Sequence, residues 1–224
     1  MVVTFVTSSN PKSVKHLDNR RLNKQRVEAQ QILDTLLSNT IVKVDNKTKG
    51  WVNHPSVLMW TGHTDALKVY INCCIRQWLK RGKSCQLQPY LDVDEDIVEW
   101  PWWFTWPLLH LSHKCSLLRK DPGYYGSRFV LTTEETEWLQ YGYVWPSKLQ
   151  NIDITRTYAP SEVCVSIGAG APAQYRWTID EVSQWHKNRL VNPRTGRTIS
   201  KDAKTGVYKD IEKAYKYYVS VGEL

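Results

Sequence analysis

Apolar positions recur at helical spacing in three stretches of the chain. Over residues 13–37, Leu22, Ala29, Ile32, Leu33 and Leu36 fall on one face at 100° per residue, and Arg21, Lys24, Glu28 and Gln31 fall on an adjacent one. This predicts a long amphipathic helix, with Glu28 at the edge of its apolar stripe and cations one and two turns before it. A second helix is predicted over residues 55–80. Pro55 opens it, Arg81-Gly82-Lys83 closes it, and Val57, Trp60, Leu67, Tyr70, Ile71, Cys74 and Trp78 supply its buried side. A third is predicted over residues 107–120, where Leu108, Leu111, Cys115 and Leu118 carry the periodicity and Asp121-Pro122-Gly123 stops it. That helix buries one face, so His110, His113, Lys114, Arg119 and Lys120 are expected on the others. Trp100, Trp102, Trp103 and Trp106 precede it. Pro101 and Pro107 keep this stretch from forming one smooth helix, which leaves at least one tryptophan for the surface.

The remaining pattern is less regular. Residues 2–7 are short, β-branched and apolar, residues 39–53 read as a polar loop, and residues 141–146 as a packed extended closing segment. Composition shifts after about Asn151, and Gly168-Ala-Gly-Ala-Pro172 reads as a linker. Beyond it Thr178 and Glu181 stand at capping-box spacing, residues 191–199 read as a turn followed by a short strand, and a final helix opens near Val207 and runs to about Val219. The expected architecture is mainly α. A compact helical domain of about three principal helices (1–150) is followed by a linker (151–176) and a small, basic α+β module (177–224).

Charge narrows the class of partner. A net charge of +8 and a pI near 9.2 favour a polyanion. The surplus is uneven: residues 1–50 hold 9 Lys/Arg against 4 Asp/Glu, whereas Asp92, Asp94, Glu95, Asp96 and Glu99 crowd into residues 92–99. Cations mixed with aromatics around residues 110–125 suit a partner that offers both phosphates and stackable bases. The odd count of 5 cysteines, without a Cys-x-x-Cys pair, fits a reduced compartment. The N-terminus has no signal-peptide apolar region and no apolar run spans a bilayer, so an intracellular, non-secreted protein without a membrane partner is expected.

Several chemistries compete. Glu28 among Arg21, Lys24 and Arg26 reads on base rates as an ion-paired surface group, or else as a carboxylate that moves a proton beside bound DNA. His110 and His113 have the spacing to share a metal, but no Glu-x-x-His or Cys-x-x-Cys partner completes a site, so no metal is expected. His54, before Pro55, fits a local structural hydrogen bond. No Walker loop, dinucleotide fingerprint, nucleophile elbow or catalytic-cysteine signature occurs, and no cofactor is expected.

Three separated motifs occur in order: residues 17–29, with Arg26-Val27-Glu28-Ala29; residues 50–60, with His54-Pro55 and Trp60; and His110 followed by Leu117-Leu-Arg-Lys-Asp-Pro122 and Tyr125. Together they resemble the pyrimidine-dimer DNA glycosylase family, particularly its distant bacterial and viral branch, over about residues 1–146. Tyr143-Val-Trp-Pro146 is similar to that branch's closing motif. The resemblance implies a compact all-α enzyme that cuts the glycosylic bond of a damaged pyrimidine and then nicks the strand as an AP lyase. It implies a nucleophilic α-amine on Val2 after removal of Met1, and a catalytic carboxylate on Glu28. An ungapped register brings Asn23 to the carboxylate position instead. His16, Arg20, Arg21, Lys24, Arg26, His110, His113, Arg119, Lys120, Tyr124 and Tyr125 are the candidates for gripping double-stranded DNA. Residues 185–211, with Asn192-Pro-Arg-Thr-Gly-Arg197, resemble the two-cysteine adaptor module of large DNA viruses, although its flanking cysteines are missing here. This implies a viral chain, placed in a host cytoplasm, nucleus or virion, whose C-terminal module contacts a viral or host protein or tethers DNA. The rivals are a glycosylase for another modified base, a non-catalytic DNA binder, and a virion interaction protein.

Overall fold

The computed structural model describes residues 11–41, 52–167, 173–201 and 206–224. Among these it is helical, with no strand longer than an isolated bridge. Five helices exceed two turns: α1 (Asn19–Ile41), α2 (Thr64–Lys80), α3 (Pro107–Lys120), α4 (Ile179–Lys187) and α5 (Val207–Ser220).

α1 starts later than the periodicity predicts. A 3-10 turn over Pro11–His16 precedes it, and the Asp18 carboxylate accepts the Arg21 backbone N–H at 3.0 Å, which caps the first turn. The predicted apolar stripe is met: Leu22, Ala29, Ile32 and Leu33 are fully buried, and α1 packs along α2. The second predicted helix is divided. Pro55–Leu58 forms one turn, Gly62 takes φ +82°, and α2 begins at Thr64. A left-handed residue cannot continue a right-handed helix, so Gly62 sets the break. α3 has the predicted bounds, opened by Pro107 and stopped at Asp121, whose side chain accepts the Tyr124 N–H at 3.1 Å.

The main core joins α1, α2 and α3 to the aromatic segment before α3 and to the chain beyond it. Trp60 meets Trp103 edge-on at 4.9 Å, and the Trp103 indole donates to the Met59 carbonyl at 2.9 Å. Trp102 is the surface tryptophan of that segment, at 44% exposure. The segment read as a linker divides between two cores. Tyr158, Val163, Cys164 and Val165 pack on the first, while Ala173 and Trp177 pack on the second. Residues 142–165 are clasped: Gly142 N–H donates to Val165 O at 2.8 Å, and Val165 N–H to Tyr143 O at 3.0 Å. A Cβ on Gly142 would lie 2.6 Å from that carbonyl, so only glycine permits the approach.

The second core is built by α4, α5 and the 3-10 turn Ala173–Tyr175 around Val182, Trp185, Ile211 and Ala214. The predicted capping box is present: Thr178 Oγ1 accepts Glu181 N–H at 3.2 Å, and Glu181 accepts Thr178 N–H at 2.9 Å. The strand expected in residues 191–199 is not formed. An isolated Val191–Thr198 bridge closes the turn instead, so the module is helical rather than α+β. A hairpin this short offers no third strand to pair with.

Candidate nucleic-acid site

The residues singled out around α1 and α3 separate into an exposed set and a buried set. Lys24 and Lys120 are exposed, and Glu28 is half-buried beside them. Burial pushes the Glu28 carboxyl above its ordinary value, against the opposing pull of Lys24 and Lys120. Lys24 on α1 and Lys120 in the last turn of α3 both act on this carboxyl, and Lys120 also reaches the closing segment. Lys120 Nζ donates to the Tyr143 hydroxyl at 2.6 Å and lies 5.2 Å from its ring centre.

An aromatic wall continues from there. Tyr143 meets His113 edge-on at 5.0 Å and Trp145 at 5.4 Å, and Trp145 meets His54 edge-on at 5.9 Å. His54 Nδ1 accepts the Ser56 backbone N–H at 3.2 Å, the local bond expected from the sequence. Burial, with Lys148 nearby, holds its imidazole below the usual range. His113 is fully buried and held well below that range, first by burial and then by His110 and Lys120. A neutral imidazole adds no charge to the wall.

A second cluster of cations lies at the start of the helical body. His16 is half-buried, 6.2 Å from the Phe129 ring, and its pKa is lowered by burial and then by Lys15, Lys114 and Arg128. Arg128 stacks at 3.8 Å on Tyr124, which is itself half-buried. Arg20 is exposed.

The expectation that α3 offers all its polar residues outward does not hold. His110 is 3% exposed, and its Nε2 bonds the Phe104 carbonyl at 2.9 Å. Arg119 is 5% exposed and donates to the carbonyls of Trp138 and Leu139 at 3.4 and 3.2 Å. Tyr125 is buried, stacks on Phe129 and donates to Asp18 Oδ2 at 2.6 Å. The covers differ: Phe104, before α3, takes up His110, residues 138–143 meet Arg119 and His113, and Tyr125 packs on Phe129 and Asp18. Arg21 and Arg26 are also engaged. Arg21 pairs with Asp18 at 2.6 Å and Asp121 at 3.3 Å; Arg26 donates to Asn23 Oδ1 at 2.7 Å and Cys85 Sγ at 3.2 Å. These side chains are engaged within the protein, whereas Lys24 and Lys120 are exposed beside the half-buried Glu28. Val2 lies outside the described residues.

Sequence reasoning did not single out Tyr143, Trp145 or Arg128 as site residues. The first two were legible only as a closing motif, and Arg128 carries no local signal. Among the described residues, no group of three or more His, Cys, Asp or Glu side chains is arranged to hold a metal ion, and no helix is long and apolar enough to cross a membrane.

Comparison with known families places this geometry in context. Residues 2–88 match the pyrimidine dimer DNA glycosylase model, and residues 183–214 match the 2-cysteine adaptor domain. Both parts of the resemblance read from the motifs are thereby met. The first match takes in α1, with Glu28, and the turn carrying His54; Lys120 and Tyr143 lie beyond it. No curated protein and no solved structure matches the chain.

Proposed function

We propose, with the glycosylase match as premise, that this protein is a DNA-repair N-glycosylase with associated AP-lyase activity on damaged pyrimidines. The observation that carries the reading is a half-buried carboxyl of raised pKa, Glu28, inside the matched segment and among cations. A carboxyl of this kind keeps a larger protonated fraction near neutrality, so it can give a proton to a departing base and take one back.

The α-amine of Val2, exposed once Met1 is removed, is the nucleophile. An α-amine has a pKa of about 8, so a useful fraction is neutral at physiological pH. Its lone pair attacks C1′, the C1′–N bond breaks, and the base leaves with a proton. Loss of the amine proton and opening of the sugar give a Schiff base. Removal of a 2′ proton then breaks the 3′ C–O bond and nicks the strand. Lys24, Lys120, Arg20 and His16 grip the phosphates of the duplex. Everting a damaged nucleotide costs less than everting a paired one, which directs the enzyme to lesions.

The test is borohydride trapping on ultraviolet-irradiated duplex, using protein with its native N-terminus. The expected result is a covalent adduct confined to damaged DNA, placed on Val2 by mass spectrometry, with strand cleavage reduced at least 100-fold (about 10²) in Glu28→Gln. Binding to irradiated DNA with neither adduct nor base release sinks the lyase reading.

A further inference from the structure

The arginines of the C-terminal helical module have different neighbours. Arg176 is paired with Asp210. Arg194 makes a fork with Glu181, at 2.5 and 2.8 Å, and lies 4.1 Å over the Trp177 ring. Both charges are met by carboxylates and knit the module together. Arg189 differs. Its guanidinium lies 5.3 Å from Trp185 and 5.4 Å from Tyr215, and its NH2 approaches His186 Nδ1 at 2.9 Å. His186 in turn stacks on Tyr215 at 4.5 Å with the rings 9° apart. Arg189 is exposed, and among the described residues no carboxylate pairs with it.

This is a cation oriented in advance by two rings and an imidazole, with its charge unmet. A guanidinium held over two rings and beside an imidazole loses less side-chain freedom on binding than a free one, and its remaining N–H groups form a fork that matches a phosphate. The surroundings carry the same sign. Lys187 is exposed two residues earlier, and residues 177–224 hold 9 Lys/Arg against 6 Asp/Glu.

We propose that Arg189, backed by Tyr215 and Trp185, is the centre of a second nucleic-acid contact, one that grips the phosphate backbone of undamaged duplex DNA. Its partner is the backbone, so it carries no sequence or lesion preference. Its effect is to hold the chain on DNA and so raise the local concentration of duplex at the Glu28 site. The inference does not depend on the lyase chemistry, because it concerns binding to intact DNA.

The experiment measures fluorescence anisotropy of a labelled, undamaged duplex of about 20 base pairs with the full chain, from low to physiological salt. Arg189→Gln is expected to weaken binding about fivefold and to lower the salt slope by about one, as loss of a single phosphate contact requires. Arg189→Lys keeps the charge but not the planar fork, and falls between the two. Thermal melting of each variant checks that the module stays folded, as expected for an exposed side chain. Unchanged affinity and slope in Arg189→Gln overturn the proposal. So does a variant that keeps duplex binding but loses binding to polyglutamate, which would assign this cation to an acidic protein surface.

Discussion

The two hydrophobic cores treat arginine in opposite ways. In the larger one, Arg119 is sunk to 5% exposure and spends its donors on two backbone carbonyls, with burial lowering its pKa. In the smaller one, Arg194 stays at the surface and binds the Glu181 carboxylate that also caps α4. The difference teaches what each charge is for. Arg119 satisfies the carbonyls of Trp138 and Leu139, so it fixes the segment that packs over α3. Arg194 ties the Asn192–Arg197 turn to the start of α4, where a small core needs a staple.

The sharpest way to break the comparison is Arg119→Ala. Two carbonyls lose a charged donor and a large buried side chain leaves a void, so the expected loss is about 3 kcal/mol. A thermal melt of the full chain, followed by tryptophan fluorescence, reads it directly. Arg194→Ala is expected to cost less, about 1–2 kcal/mol, because its ion pair is partly exposed, although it also lies over the Trp177 ring. Hydrogen exchange sharpens the contrast: protection falls across residues 177–199 while α1 to α3 keep theirs. Equal loss of protection in both regions would show that the cores unfold as one.

The smallest effect expected is a histidine-linked pH dependence in the larger core. His16, His54 and His113 have folded pKa values below their unfolded ones, so the unfolded chain binds more protons as pH falls through 6.5. Stability therefore drops in that window. Glu28 has the opposite sign: its folded pKa is raised, so ionising it costs stability as pH climbs through the carboxylate range. Glu28→Gln should thus melt slightly higher than the parent at pH 7 and level with it at pH 4. A lower melting point at pH 7 would mean that Glu28 is stabilised by its surroundings.

Local pattern carried much of the fold. The bounds of α3 follow from Pro107 and Asp121-Pro122-Gly123, and the α4 cap follows from Thr178 and Glu181, because caps and stops act within one turn. The start of α1 was readable from Asp18, a capping residue that apolar periodicity passes over. The break at Gly62 was less visible, since the apolar positions on either side share one phase. The site was half legible. Glu28, Lys24 and Lys120 are chemically conspicuous in the sequence, and the two lysines lie near enough to act on the carboxyl. What sequence could not give is enclosure. His113 and Arg119 look like surface residues until residues 138–143 fold over them, and Tyr125 until it meets Asp18, and these are tertiary contacts with no local sign.

One brace has a consequence for how such a chain can vary. Asp18 begins α1, Asp121 ends α3, and Arg21 bridges them while Tyr125 closes onto Asp18. The four positions lie as much as 107 residues apart, yet they share one set of hydrogen bonds. Losing any one leaves a half-buried charge or hydroxyl without its complement. Among related chains, positions 18, 21, 121 and 125 should therefore be inherited as a set. A drift to asparagine at 18 would be matched by a change at 21 or 125.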